Sequence, residues 1–176
     1  MLFYINPNVV QNFLRFERSD ILPRVPRSRF SARKFHGKRI VGLMIKDQAL
    51  QAGRLLRECS HVRGTYQRFS EGLDWNQTEY VALFEKKYKR IQRLKGKCRT
   101  FDDFRRGTLK RWDDVFLDIQ LNGFKQARRI EQNVEVALGS SGEVFLIDGR
   151  HRLIFAKILG LTQIPVVANL ISDRLA

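Results

Sequence analysis

The sequence has little cysteine and little proline: of 176 residues, two are Cys and four are Pro. Cys59 and Cys98 stand far apart without CxxC spacing, which excludes a disulfide framework or a zinc ribbon and points to two ordinary thiols in a reducing, cytoplasmic setting. Long apolar runs are missing too. The longest stretch without a charged residue, 158–172, is too short to span a bilayer and carries Gly160 and Pro165, so no transmembrane helix is expected. Residues 1–16 lack the basic start and the small-residue cleavage site of a secretory signal. Several catalytic signatures are absent: there is no GxSxG, no phosphate-binding loop ending in Gly-Lys-Ser/Thr and no GxGxxG, and the three histidines lack zinc spacing. His36 and His61 therefore read as surface or structural residues. No acidic cluster suited to two metal ions is visible, which counts against a two-metal nuclease.

What is present is a core and a charge. Hydrophobic residues make up 43% of the chain and aromatic ones 11%, with 13 Phe, enough to exclude intrinsic disorder as the main state. The formal charge of +15 is unevenly placed: residues 1–111 hold 26 basic against 10 acidic side chains, and residues 112–176 hold 7 against 8. An excess of this kind concerns anionic partners rather than the fold. The boundary also divides the chain into a basic, mainly helical region (1–111) and a nearly neutral remainder (112–176), expected to pack together as one unit.

Within the basic region, Pro7, Val9, Val10, Phe13 and Leu14 suggest a short helix, and residues 23–39, with two prolines, an extended basic segment that includes Arg33 and Lys34. Residues 46–59 have helical spacing, and a short helix is expected around 66–71 before Gly72. Asn76 and Glu79 have the form of a capping box. The helix they would open carries Tyr80, Leu83, Phe84 and Tyr88 on one face and Lys86, Lys87 and Arg90 on the other. With Arg105 and Arg106 downstream, these cations suggest a continuous nucleic-acid or anion surface. A solvated helix face is the plainer account of the same residues. A contact with an anionic membrane surface through residues 24–39 rests on charge alone.

Residues 112–122 read as a helix stopped at Gly123, and beyond it the period changes. Val134, Val136 and Leu138 alternate with Glu135 and Ala137. A Gly-rich turn and the run 144–147 then complete a β-hairpin, followed by a helix over 150–159 and a strand over 164–171. The fold class is therefore α+β. Asp148, Gly149, Arg150, His151 and Arg152 fall where the second hairpin strand gives way to the helix. A helix N-terminus favours anions, Gly149 permits a positive φ, and two arginines with a histidine suit phosphate oxygens. Equally, Asp148 would serve as a plain cap and the arginines would be solvated.

The segment 143–167, GEVFLIDGRHRLIFAKILGLTQIPV, resembles the ParB/sulfiredoxin superfamily, and most closely its ParB-like DGHHR form. Asp148, Gly149, His151 and Arg152 fall on the motif, and Arg150 replaces the first histidine. Upstream, GLDWNQTEY and WDDVFLDIQLNGFKQ are similar to blocks of an uncharacterised bacterial and archaeal branch, matching at Trp75, Thr78, Asp113, Phe116, Ile119, Gly123 and Gln126, so that the resemblance covers residues 70–171. It implies a ParB/sulfiredoxin-like core of hairpin, helix and strand, with a nucleoside triphosphate or diphosphate, accompanied by magnesium, at the DGRHR turn. Gly149, Arg150, His151, Arg152 and Gln126 would bind phosphate or nucleotide. Asp148, His151 and Asp113, with Asp114 behind it, are the candidates for catalysis, in a phosphotransfer to a small-molecule or glycan acceptor. The motif lacks a sulfiredoxin cysteine, because position 150 is Arg, and neither a GERRxRA box nor a downstream helix-turn-helix follows. Sulfinic acid reduction and partition are accordingly set aside, while a nucleic-acid-binding, nuclease-like protein using the basic region stays as the alternative.

Overall fold

The alternation over residues 134–138 and the apolar run 144–147 become a hairpin near the middle of a mixed sheet, and the rest of the chain is arranged around it. The computed structural model describes residues 2–14, 21–22, 43–91, 100–127 and 133–175. The elements in chain order are β1 (Leu2–Ile5), β2 (Asn12–Phe13), β3 (Ile21–Leu22), β4 (Leu43–Ile45), α1 (Asp47–Leu50), β5 (Arg54–Leu55), α2 (Ser60–Phe69) and α3 (Glu79–Ile91). They continue with α4 (Phe101–Asp103), α5 (Lys110–Asn122), β6 (Val134–Leu138), β7 (Val144–Asp148), α6 (Arg150–Ile158) and β8 (Ile164–Ser172). A π-helical stretch, Phe104–Leu109, joins α4 to α5.

The strand order is β3-β4-β8-β6-β7-β2-β5. β8 is the axis of the sheet, buried along nearly its whole length, as expected for an apolar run covered on both faces. β6 pairs with it in parallel on one side. Its other side is shared in series: β1 runs antiparallel, from Leu2 opposite Val167 to Ile5 opposite Ile164, and β4 runs parallel, from Leu43 opposite Leu170 to Ile45 opposite Ser172. β2 lies between β7, to which it is parallel, and β5, to which it is antiparallel. Helix α6 covers one face of the sheet, where Leu153, Ile154 and Ala156 meet Val134, Val136, Leu146, Val166 and Ala168. A second, aromatic cluster built on Trp75, Tyr80, Phe104 and Leu109 fills the space among α3 and the π-helical stretch.

This architecture is α+β, as expected, and the hairpin, α5, α6 and β8 lie where the sequence pattern puts them, within a residue or two. Residues before 112 supply β1 to β5 and so are part of the same sheet. Those strands are short, and the helical spacing around them misleads. In place of a helix over 7–14 there is a 3-10 turn, Pro7–Val9, capped by the Asn6 side chain, and then β2. In place of a helix over 46–59 there is one turn, α1, and then β5. Both are drawn out by cross-strand pairing, Phe13 opposite Arg54 and Leu146, which outweighs local periodicity. The capping box also moves: Asp74 and Gln77 form it around the 3-10 turn Trp75–Gln77. Thr78 then precedes α3, while Glu79 takes a bidentate ion pair from Arg63 on α2 (2.6–2.9 Å). Helix α2 itself begins at Ser60, earlier than its expected start, a difference that matters for the site. No helix among the described residues is long and apolar enough to cross a membrane.

Candidate anion-binding cleft

The DGRHR turn begins with a backbone requirement. Gly149 has φ 84° and ψ 24°, and a Cβ there would stand 2.8 Å from Val134 Cα and 3.2 Å from Asn133 O. Only glycine permits this approach of β7 to β6 at the helix start. Successive residues of α6 then point about 100° apart, so Arg150, His151 and Arg152 leave the helix in three directions.

Arg150 lies over the Phe13 ring, 4.4 Å from its centroid, and its Nε is buried with no hydrogen-bond partner. His151 turns into the aromatic cluster. Its ring stacks on Trp112 at 3.9 Å and meets Tyr80 edge-on at 5.5 Å, and its Nε2 is also buried without a hydrogen-bond partner. Burial, with smaller contributions from the charges of Arg150 and His61, lowers the His151 pKa to about 3, so the ring is neutral at ordinary pH. Burial likewise pushes the Tyr80 phenol up to about 12. Arg152 goes the other way, donating through Nη2 to Lys125 O at 2.7 Å with its guanidinium 4.4 Å over Phe124. It clasps the segment after α5 to α6.

Arg150 opens onto a cleft of about 600 Å³. Phe13 lies along one side, and Leu83, Phe84 and Lys87 of α3 along another. The end of a 3-10 turn, Leu56–Glu58, and the start of α2 contribute Glu58, Cys59, Ser60 and His61, and β5 contributes Arg54. The helix α2 is ten residues long, and no side chain caps its N-terminus. Its first amides and partial positive charge therefore act in the same space as the cations Arg54, Lys87 and Arg150, against the single carboxylate of Glu58. Its volume is in the range that holds small ligands and cofactors. Its walls combine an apolar side with convergent cations, an arrangement suited to a ligand with an anionic end and an apolar or aromatic body.

Of the candidate site residues read from the sequence, Arg150 and Lys87 meet in this cleft, although one was expected at a phosphate turn and the other on a nucleic-acid surface. The others are placed elsewhere. Gly149 shapes the turn, and Asp148 ends β7 opposite Glu135 of β6. Gln126 is exposed in the segment after α5. Asp113 accepts from Arg68 Nε at 3.1 Å and from Trp75 Nε1 at 3.1 Å, tying α5 to α2 and to the turn before α3. Asp114 pairs with Lys110 one helical turn away. Lys86 is exposed on α3 and Arg90 falls in that helix's last turn. Arg106 pairs with Asp102 at 2.8 Å, and Arg105 lies 4.9 Å over Phe101. Arg33, Lys34, His36 and Cys98, with the rest of segment 23–39, lie outside the described residues.

Five cleft residues, Arg54, Glu58, Cys59, Ser60 and His61, were not singled out for a site from the sequence. A helix start at Ser60 was the signal available, and the helical spacing of residues 46–59, which ran up to it, hid it. Cys59 is distant from the DGRHR turn in sequence but borders the same cavity as Arg150. Among the described residues no group of three His, Cys, Asp or Glu side chains is placed to hold a metal ion.

The placement of Asp113 gives a direct prediction. Asp113→Ala leaves Arg68 Nε and the Trp75 indole N–H without their acceptor, and should lower unfolding stability by about 1–2 kcal/mol in urea denaturation. A variant of unchanged stability would show that the carboxylate has no such structural part.

Fold and cleft together define a mixed α/β protein with a cationic, partly apolar cleft at a helix N-terminus. No family model, no curated protein and no solved structure matches the chain.

Proposed function

We propose that the protein binds a nucleotide by its phosphates in this cleft and transfers a phosphoryl group to a small-molecule or glycan acceptor, in keeping with the resemblance of residues 143–167 to ParB/sulfiredoxin proteins. The observation that carries the reading is Arg150. Its guanidinium is held on an aromatic face and lines a cavity with room for an anion of nucleotide size, for which a charged N–H fork is a suited donor. Arg54, Lys87 and the α2 N-terminus add the charge neutralisation on which phosphoryl transfer chiefly depends. Phe13, Leu83 and Phe84 offer an apolar wall for a base.

Glu58 is the carboxylate on the cleft lining and the residue that would accept the proton of an attacking hydroxyl in this scheme. One carboxylate also fits magnesium, which is commonly held by one or two carboxylates together with the phosphates it accompanies. When bound, the ion would screen phosphate charge. The neutral His151 takes no part in proton transfer in this scheme; its ring packs against Trp112 and Tyr80.

The test is thermal denaturation of the full chain with nucleoside diphosphates and triphosphates, with and without magnesium. A ligand at one hundred times its Kd stabilises by about 2.7 kcal/mol, a readable rise in Tm. Arg150→Ala should lose that rise. Arg152→Ala should melt lower without ligand yet keep the ligand-induced rise, because its guanidinium serves Lys125 O and Phe124. Absence of any response in the wild type, or an equal response in Arg150→Ala, would remove the proposal.

A further inference from the structure

We infer that the mouth of the cleft and the exposed turn of α3 beside it form a docking surface for single-stranded nucleic acid. The cations divide by whether an acid neutralises them. Arg63, Arg68, Arg106 and Lys110 each pair with a carboxylate, on Glu79, Asp113, Asp102 and Asp114. Arg54, Lys87 and Arg150 have no ion-pair partner among the described residues, and all three line one cleft, against Glu58 alone. Lys86 and Arg57 are exposed and likewise unpaired among the described residues. Lys86 stands about 60° round α3 from Leu83, on the side away from Phe84, and so extends the cationic rim outside the cavity. Arg57 precedes Glu58 in the 3-10 turn at the facing wall. One unpaired lysine on a solvated helix carries no message, but uncompensated cations gathered on both walls of a single cleft make a field for an anion.

The kind of anion follows from what else is there. A mononucleotide would fill the cleft and leave Lys86 and Arg57 unused, because neither lines it. A strand brings a phosphate with every nucleotide and so serves rim and cavity together. The same cleft carries Phe13, Leu83 and Phe84, a wall on which an unstacked base can rest. Cations beside an apolar wall match the phosphate and base of an unpaired strand. In a duplex the bases are stacked on one another, and polyphosphate has none, so either would meet the cations alone. The surface does not require phosphoryl transfer. It shares Lys87 and Arg150 with the proposed nucleotide site, so that strand and nucleotide exclude one another in the cleft.

The test is fluorescence anisotropy of the full chain with a labelled oligothymidylate of about 20 nucleotides, and with a duplex of the same length, over a salt series. The strand should bind more tightly than the duplex, and unlabelled polyphosphate should displace it less well than unlabelled strand does. Lys86→Gln and Lys87→Gln should each weaken strand binding about fivefold and reduce the slope of log Kd against log salt by about 0.7, as for one lost phosphate contact. Lys46→Gln is the control: it removes the same charge at an exposed position following β4, toward the opposite edge of the sheet from β5, and should change binding less than about twofold. No binding at low salt, an equal loss in Lys46→Gln, or a preference for duplex or polyphosphate overturns the inference. Displacement of the strand by ATP would support both this surface and the nucleotide reading. Strand binding that meets these criteria, in a protein whose melting no nucleotide shifts, would support the surface and count against the nucleotide reading alone.

Discussion

Replacement of Gly64 by alanine is expected to cost about 3 kcal/mol or more, at the upper end of what overpacking does in a well-filled core. The residue lies mid-way along α2 where that helix crosses α3. A Cβ there would sit 2.5 Å from Tyr80 Cβ and closer still to the Tyr80 backbone nitrogen. Backbone atoms have no rotamer by which to retreat, so relief requires α2 and α3 to separate. Separation would part Cys59, Ser60 and His61 from Leu83, Phe84 and Lys87, the two facing walls of the cleft. It would also strain the bidentate bond between Arg63 and Glu79. Chemical denaturation should show the lowered midpoint, and thermal shift with nucleotide should show a weakened response in whatever protein remains folded. A variant as stable as the wild type would mean that the two helices do not approach this closely.

The second large effect is a loss of stability in acid that traces to one side chain. His151 in the unfolded chain titrates near its ordinary value of 6.5, and in the fold near 3, chiefly because burial disfavours the charged ring. Above pH 6.5 the ring is neutral in both states and its packing contributes fully. As pH falls below 6.5 the unfolded chain gains a proton that the folded chain does not, and stability drops by about 1.4 kcal/mol per pH unit until the folded form itself titrates near 3. By pH 4 the loss attributable to His151 amounts to about 3 kcal/mol. The groups facing it, Arg150, His61 and the Tyr80 phenol, offer no negative charge to offset this. Urea midpoints at pH 7 and pH 4.5, compared between wild type and His151→Phe, isolate the effect because other titrating groups are common to both. The variant should show the smaller decline. Equal declines would place the imidazole in contact with solvent or with an acid.

Asp148 to Arg152 were legible as a strand-to-helix turn with a glycine at its joint, and the turn is there, with Gly149 pressed against Val134. The letters did not say which side chains would face a ligand. Three adjacent basic-type residues look convergent on paper, but a helix fans them apart, so that Arg150 meets the cleft, His151 enters the core and Arg152 bonds a backbone carbonyl. Nor did the letters say that the far wall would be the start of α2, more than eighty positions upstream. The strands of the first half were hidden for a related reason. Two-residue strands such as β2 and β5 carry no period of their own: β2 exists because β7 offers an edge, and β5 because β2 does.

Sequence by itself determined the α+β class, the hairpin with α6 and β8, the apolar face of α3 and the uneven distribution of a +15 charge. These follow from period, turn chemistry and composition, which act over short lengths of chain. Only the tertiary structure decided that Arg54, Lys87 and Arg150 share one cavity with Cys59 and the open end of α2, and that Asp113 and Arg152 serve packing. Which side chains meet across a cleft depends on the crossing of α2 over α3 at Gly64 and on the pairing of β2 with β7, and both are contacts between residues remote in the chain.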